Sequence, residues 1–326
     1  MADVEHDEAK RNDAGEKKTL LDIDEQIAKL RRKGVTFNLC GEDEARAYLT
    51  NRMYFFKLYA YRVLFEKHVG GPHDNQYVGL DFWHLRQLAS VDRTLRYALL
   101  PCTLDVEHYA RVRLMQKTTL HEDKDGYSVV SDYMTALNHA ERRRREGEIH
   151  ALERDVYCGD LVRKYGSPDQ MPLWVFLELA SFGTFIDLYL FCANRWNDEE
   201  MRHEHYNLRQ SKMVRNACAH SSNIINGFSR SDAITRPDDA VWRALAEAGV
   251  SRRVRSAKMR NSRLQQIATL LYLHMSTVPK GTSRTRAKAD LGKLQTAMTN
   301  TLEILSDNDA VRSSFGFLGK LIDKWF

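Results

Sequence analysis

The chain has 326 residues, a formal net charge of +5 and a sequence pI near 8.8. Its hydrophobic content of 43% excludes a fully disordered protein and is enough for a sizeable buried core. Only 17 glycines and 6 prolines are present, which favours an all-α fold over a sandwich or barrel with many turns. The modest positive charge permits nucleic-acid binding without requiring it.

The five cysteines are widely spaced and include no CxxC pair. This pattern predicts a reducing, cytoplasmic location. The N-terminal segment is acidic and polar, so no signal peptide is visible. Residues 1–18 contain no large apolar side chain after Met1 and are predicted to form a disordered tail.

The first predicted helix has Asp22 as its N-cap, Glu25 three residues later and Gly34 as its stop. An aromatic-rich block from Tyr54 to Phe65 follows a second helical segment. Aromatic residues at this density usually belong to a core. We therefore expect the block to be buried.

A further helix is predicted from Phe82 to the residues before Pro101, and a separate one from Thr103 to Met115. Within the latter, Glu107 and Arg111 have the i,i+4 spacing of a surface ion pair, worth a few tenths of a kcal/mol. The sequence predicts only a minor role in stability for this pair.

Four consecutive arginines, Arg142 to Arg145, lie in a charged helical segment. Such a run usually forms a solvated helix face, and this interpretation is favoured. Contact with phosphate groups is the alternative, with Arg142 and Arg143 as candidate RNA-binding residues.

The apolar segment from Leu173 to Ala193 contains Glu178 and Asp187, and acids near its centre argue against a membrane span. It is predicted to be one buried core helix. Glu178 is expected to find a structural partner, with a place beside the functional cleft as the alternative. Asn197 is the predicted N-cap of the polar helix that follows.

The segment Arg215–Asn216–Ala217–Cys218–Ala219–His220 carries the clearest chemical signal in the chain. The absence of Pro and Gly from Met201 to Ser222 predicts that Arg215 and His220 share one helix. Arginine matches phosphate geometry, and imidazole transfers protons near neutral pH. Asn216 and His220 are four residues apart, so the amide is a candidate to orient the imidazole or contact phosphate. The pattern suits RNA phosphodiester cleavage without a metal or other cofactor.

Two other chemical roles in this region are disfavoured. His203, Glu204 and His205 alternate along a helix, so their side chains point in different directions and a shared metal site is not expected. Cys218 is interpreted as a small buried packing residue rather than a nucleophile. No metal site is predicted.

A basic segment free of acids lies in the last third of the chain and is the better candidate for a surface that faces a polyanion. The candidate RNA-binding residues in it are Arg252, Arg253, Arg255, Lys258 and Arg260, and Arg263 continues the segment.

The chain resembles the Abi-like proteins of bacterial phage defence, the AbiD and AbiF group, over about Leu20 to Phe228. The matching features are Ala45–Tyr61, Asp92, Arg93, Leu95, Arg96, Glu107, Arg111, Pro172–Trp174, Glu178, Ser181–Gly183, Arg215, Asn216, Cys218–His220 and Asn226. The ending Phe315–Phe317 and Trp325 is similar as well.

This resemblance implies an Abi-like/HEPN helical domain over 19–228, in which an N-terminal helical region accompanies the HEPN-like bundle. The basic residues of the last third make 229–326 a basic C-terminal helical extension. The resemblance also implies a toxin-like abortive-infection endoribonuclease in which two protomers form a composite site. Arg215, Asn216 and His220 would be the catalytic residues, and a small noncoding RNA the regulatory partner. No membrane partner is expected.

Two positions depart from the family pattern: Ser221 stands where a second histidine is common, and Asn223 where an arginine is common. Both changes remove charge beside the expected cleft. One alternative is therefore a catalytically inactive HEPN module that binds RNA or a protein. A second is a purely structural helical scaffold, which would leave the basic segments unexplained.

Overall fold

The computed structural model describes residues 19–121, 125–304 and 309–326, and in these ranges it contains helices and two isolated bridges but no strand. The predicted all-α class is confirmed. The chain divides into two compact units, Met1–Leu85 and Arg86–Phe326. The tail predicted over 1–18 lies outside the described residues.

The first unit contains α1 (Ile23–Arg32), α2 (Glu42–Asn51), α3 (Phe55–Tyr59) and a 3-10 turn (Ala60–Leu64). Asp22 and Glu25 form the predicted capping box at the start of α1. Gly34 follows the helix with φ +79°, a left-handed conformation that glycine adopts easily. Both predicted ends of this helix are confirmed.

The prediction that the aromatic block is core is wrong for part of it. Tyr61 is fully buried, but the side chains of Tyr54 and Phe56 are 64% and 82% exposed. The short α3 and the 3-10 turn bury Leu58, Tyr61 and Leu64, and the residues between these positions are only half-buried. Density of aromatic residues therefore did not predict which of them a short helix would bury.

The predicted break at Pro101 is absent, because α4 runs without interruption from Phe82 to Leu120. Proline removes one backbone hydrogen bond, to the carbonyl four residues earlier, at Tyr97. The side chain of Tyr97 is exposed, so this carbonyl lies on the outer side of the helix. Leu99 and Cys102 on either side of the proline are fully buried, and their packing holds the helix together.

The remaining helices all belong to the second unit. They are α5 (Ser128–Ala136), α6 (His139–His150), α7 (Gly159–Tyr165), α8 (Leu173–Leu179), α9 (Phe182–Arg195), α10 (Glu199–Ala219), α11 (Asp239–Glu247), α12 (Arg252–Lys258), α13 (Ser262–Thr277), α14 (Thr282–Ile304) and α15 (Asp309–Trp325).

The apolar segment predicted as one helix is two, because α8 ends at Leu179 and the side chain of Ser181 caps α9. Glu178 and Asp187 both face outward, so Glu178 does not need the buried partner that the sequence suggested. In α8 only Trp174 and Glu178 are exposed, so most of its surface is buried. No helix among the described residues is long and apolar enough to cross a membrane.

Helix α10 lies at the centre of the second unit, where it packs most extensively against α13 and then against α9. Its N-cap is Asp198, whose side chain accepts from the Met201 amide, and not Asn197 as predicted. Since α13 lies beyond position 228, the residues after the proposed 228/229 division pack directly against the helix before it.

His205 on α10 gives the unit a pH-dependent stability. Burial, assisted by the nearby Arg209, lowers the pKa of His205 to about 4. The unfolded chain has the ordinary value of about 6.5, so between these two values it binds more protons than the folded protein. Stability is therefore complete above pH 6.5 and falls as the pH drops toward 4.

We predict that lowering the pH from about 7 to about 5 costs about 2 kcal/mol of unfolding free energy through His205 alone. His205→Gln, which cannot take up this proton, should remove that part of the loss in chemical denaturation at the two pH values. The control is His203→Gln, which replaces an exposed histidine of the same helix and should retain the wild-type loss. Equal pH dependence in wild type and His205→Gln would contradict the prediction.

Candidate functional site

Helix α10 ends in a Schellman motif formed by the predicted functional segment itself. The Ser222 amide donates to the Ala217 carbonyl at 2.8 Å, and the Ser221 amide to the Cys218 carbonyl at 3.1 Å. Ser221 has φ +54°, the left-handed conformation that this motif requires, and His220 is the C-cap residue. The imidazole therefore lies on the capping residue directly after α10, where it is exposed.

A buried ion pair on α4 fixes the chain just after this helix end. Arg96 Nη1 lies 2.6 Å from Asp92 Oδ2, and both side chains are almost completely buried. Arg96 also donates to the Ser222 carbonyl at 3.1 Å. Asp92 Oδ1 accepts from the amides of Ile224 and Ile225 at 3.1 and 3.0 Å. The side chains of this pair thus bind the backbone of the loop after His220. These bonds do not depend on the side chains of the loop residues.

Residues of α13 and its N-cap hold the same loop from the other side. Arg263 Nη1 donates to the carbonyls of Asn223 and Ile224, each at 2.7 Å. The Asn261 side chain donates from Nδ2 to the Gly227 carbonyl at 2.6 Å. A Cβ on Gly227 would lie 2.4 Å from the Arg263 guanidinium, so this close approach requires glycine. Arg263 belongs to the segment predicted to face a polyanion. In the structure its guanidinium instead bonds backbone carbonyls of the same chain.

Arg215 turns toward α4, where two guanidiniums share one carboxylate. Glu107 Oε1 accepts from Arg111 at 2.7 Å, and Glu107 Oε2 lies 4.0 Å from Arg215 Nε. Arg111 also donates to the Ala180 carbonyl at 3.0 Å and lies over the Phe185 ring. The predicted surface pair is therefore a partly buried support for Arg215. Two cations against one anion leave a net positive charge here, and Arg215 remains 31% exposed.

The side chain of Asn216 contacts the arginine of the motif. Its Oδ1 accepts from Arg215 Nη1 at 3.0 Å, which fixes one end of the guanidinium. The backbone carbonyl of Asn216 accepts from the His220 amide at 2.9 Å, as part of the last helical turn. An effect of the Asn216 amide on the imidazole itself stays a prediction.

Cys218 is buried beside the Asp92–Arg96 pair. Burial raises the pKa of its thiol to about 12, so the reactive thiolate is disfavoured. The predicted packing role of Cys218 is thereby supported.

The residues 203 to 205 point in different directions, as the spacing suggested. His203 is exposed and contacts Asp238, whereas Glu204 is buried against Tyr189 and Arg113. His205 is buried elsewhere on the helix. In the part of the chain that the structure describes, no three residues with metal-binding side chains are grouped to hold an ion.

The arginine run on α6 is largely engaged in ion pairs. Arg142 pairs with Glu146 and Asp169, and Arg144 pairs with Glu148. Arg145 is buried between Glu148 and Asp187, while Arg143 is exposed. Of the two candidate RNA-binding residues in this run, Arg143 is the more accessible.

The basic segment around α12 divides into exposed and engaged cations. Arg252, Arg253 and Arg260 are exposed. Arg255 lies 5.1 Å from the centre of the Trp242 ring, and Lys258 donates to Ser314 Oγ at 3.1 Å. Burial lowers the pKa of Lys258. RNA contact by these residues remains a prediction.

Three elements of the site were not identified as such from the sequence: the Asp92–Arg96 pair, the Glu107–Arg111 support and the Arg263 contact. The i,i+4 spacing of the first two was visible as a signal. The spacing does not say which helix or loop such a pair will face, and the Arg263 contact depends entirely on tertiary packing.

A profile of the family described as "Abi-like protein" matches residues 47–226, which is more than half of the 326-residue chain. The match ends at Asn226 and includes α4, the Glu107–Arg111 support and the whole of α10. No curated protein and no solved structure matches the chain.

We predict that Asp92→Asn lowers the free energy of unfolding by about 3 to 5 kcal/mol, because it leaves the Arg96 charge buried without its partner. Chemical denaturation measures this loss. The matched control is Glu199→Gln, which breaks the exposed pair with Arg202 and should cost less than about 1 kcal/mol. Similar costs for the two variants would show that the Asp92–Arg96 pair does not hold the loop.

Proposed function

The chain belongs to the Abi-like family, and from this premise we propose that it is a metal-independent endoribonuclease of the HEPN type, acting in abortive infection. The observation that carries the proposal is the end of α10. There an exposed imidazole on His220 follows a partly exposed guanidinium on Arg215, and the helix end is held by buried charge.

In the proposed reaction the 2′-OH of RNA attacks its own neighbouring phosphate. One imidazole removes the proton of that hydroxyl, and a second protonates the departing 5′ oxygen. The new P–O bond closes a 2′,3′-cyclic phosphate, and the broken bond leaves a 5′-hydroxyl. Arg215 counters the charge that develops on the phosphate oxygens. Since DNA has no 2′-OH, it is bound but not cut.

The two imidazoles come from two copies of the chain. A five-residue offset on a helix separates Arg215 and His220 by about 140° around the axis, and one copy supplies a single motif histidine. A symmetric homodimer would place two imidazoles and two guanidiniums around one phosphate. The position of His220 at the exposed end of α10 supports this arrangement.

A small structured RNA is the proposed regulator, as the resemblance to AbiF-type proteins suggests. The exposed Arg252, Arg253 and Arg260 around α12 offer a basic surface for it. Binding to this surface would depend strongly on salt, because it releases counterions from the phosphate backbone.

A second candidate function is an inactive HEPN module that binds RNA or a protein. The observation that favours it is the replacement of charge just beyond the motif, by Ser221 and Asn223. In the structure Ser221 provides the left-handed residue that ends α10, so this position has a structural role in either case.

We predict that His220→Ala reduces the rate of RNA cleavage by about 100- to 10,000-fold, the usual value of a positioned acid or base. RNA affinity should change little, because one exposed imidazole is lost and the arginines remain. Cleavage of a labelled single-stranded RNA in the presence of a chelator measures the rate.

The matched control is His203→Ala, an exposed histidine on the same helix, which should cleave at the wild-type rate. RNA cleavage by His220→Ala at the wild-type rate would contradict the proposal. So would cleavage of the corresponding DNA as fast as RNA. Specific RNA binding by the wild type with no cleavage would favour the inactive module.

A further inference from the structure

The outer face of α10 carries a regular row of side chains that leads to His220. Tyr206, Met213 and His220 recur every seven residues, which is about 20° short of two helical turns. Tyr206 and Met213 are 59% and 54% exposed, unusually so for large side chains. From Tyr206 to His220 the row is about 21 Å long, at 1.5 Å per residue.

The first two members of this row border a groove of about 760 Å³. Its walls are α9, α10, the start of α13 and the loop of residues 232–238. The groove therefore lies on the same helix face as the candidate catalytic histidine and N-terminal to it.

The acids that line the groove have partners within the protein, whereas the cations that line it form no ion pairs among the described residues. Each of its three acids has a partner within the protein: Asp187 pairs with Arg145, Asp232 accepts from the Ser262 amide at 3.0 Å, and Asp238 accepts from the Ala240 amide at 2.8 Å. Its three cations are Arg209, Lys212 and Arg236. None of the three forms an ion pair with a residue that the structure describes.

We propose that this groove is the track along which single-stranded RNA reaches His220, an inference that rests on the proposed ribonuclease function. Arg209, Lys212 and Arg236 contact successive phosphates, and a base stacks on Tyr206. The side-chain amides of Gln210 and Gln266 line the groove and provide donors and acceptors for base edges.

Electrostatics favour RNA over a second copy of the chain as the occupant. Two copies joined through the groove would bring six such cations together, and burial of like charges is costly. A polyanion neutralises them instead. The ligand also needs an unpaired base to stack on Tyr206, which a single strand supplies and a duplex does not.

Lys212 is positioned by a close contact with α9. A Cβ on Gly183 would lie 2.7 Å from the Lys212 Nζ, so the absence of a side chain at Gly183 leaves room for the ammonium at the edge of the groove.

The test compares RNA binding by two triple variants, each in the His220→Ala background so that RNA is bound without being cut. The groove variant is Arg209→Gln, Lys212→Gln, Arg236→Gln. The control is Arg154→Gln, Lys164→Gln, Lys324→Gln, which removes the same charge from exposed positions outside the groove. Fluorescence anisotropy of a labelled single-stranded RNA over a salt titration gives the affinities.

We expect the groove variant to bind at least about tenfold more weakly than its parent and the control less than about twofold. Loss of three phosphate contacts should reduce the slope of log affinity against log salt by about 2, at about 0.7 for each contact with a single strand. Tyr206→Ala should weaken binding by about fivefold or more, and Tyr206→Phe, which retains the ring, should restore it.

The outcomes separate this inference from the proposed function. If the groove variant binds RNA as well as the control while the wild type cleaves RNA, the groove proposal is wrong and the nuclease proposal stands. If the groove variant loses binding but the wild type never cleaves, the groove is supported and the nuclease proposal fails. If the groove variant changes the oligomeric state and not RNA affinity, the groove joins two copies and the inference is overturned.

Discussion

The buried pair between Asp92 and Arg96 is the interaction on which the candidate site depends. It lies on α4 and bonds the backbone of residues 222 to 225, so it determines where the chain goes after α10 ends. A buried ion pair is a weak source of net stability, but removal of one partner is costly because the other charge stays in the interior. Such a pair enforces one loop conformation. Arg263 acts on the same loop from α13, so two helices distant in sequence fix one short segment.

The candidate catalytic side chains are held less tightly than their backbone, which suits groups that must contact a substrate. His220 is exposed at the end of α10, and Arg215 is steered by Glu107 and Asn216 without being covered. The candidate site thus combines a firmly held backbone with accessible side-chain ends, as precise positioning in catalysis requires. The groove on the outer face of α10 extends this arrangement, because the helix that carries the motif would also carry the phosphate contacts.

Much of the architecture could be predicted from sequence, because helical periodicity and caps are local signals. The all-α class and both ends of α1 follow directly from composition, Asp22, Glu25 and Gly34. Errors arose where tertiary packing overrides a local signal: Pro101 does not break a helix in which the flanking Leu99 and Cys102 are buried, and Tyr54 and Phe56 are exposed. For the site, the sequence identified Arg215 and His220 as a pair. It could not show that Glu107 contacts Arg215 or that Asp92 and Arg263 hold the loop after His220, since these contacts link residues up to 133 apart in the chain.

The chemistry of the cleaved ends tests the central claim most directly. Single-stranded RNA is incubated with the wild-type protein, the cut position is mapped, and the cleavage is repeated with a single 2′-deoxy substitution at the nucleotide that precedes the cut. The account predicts 2′,3′-cyclic phosphate and 5′-hydroxyl ends, and no cleavage at the substituted position. Products with 5′-phosphate ends, or cleavage that persists without the 2′-hydroxyl, would contradict it.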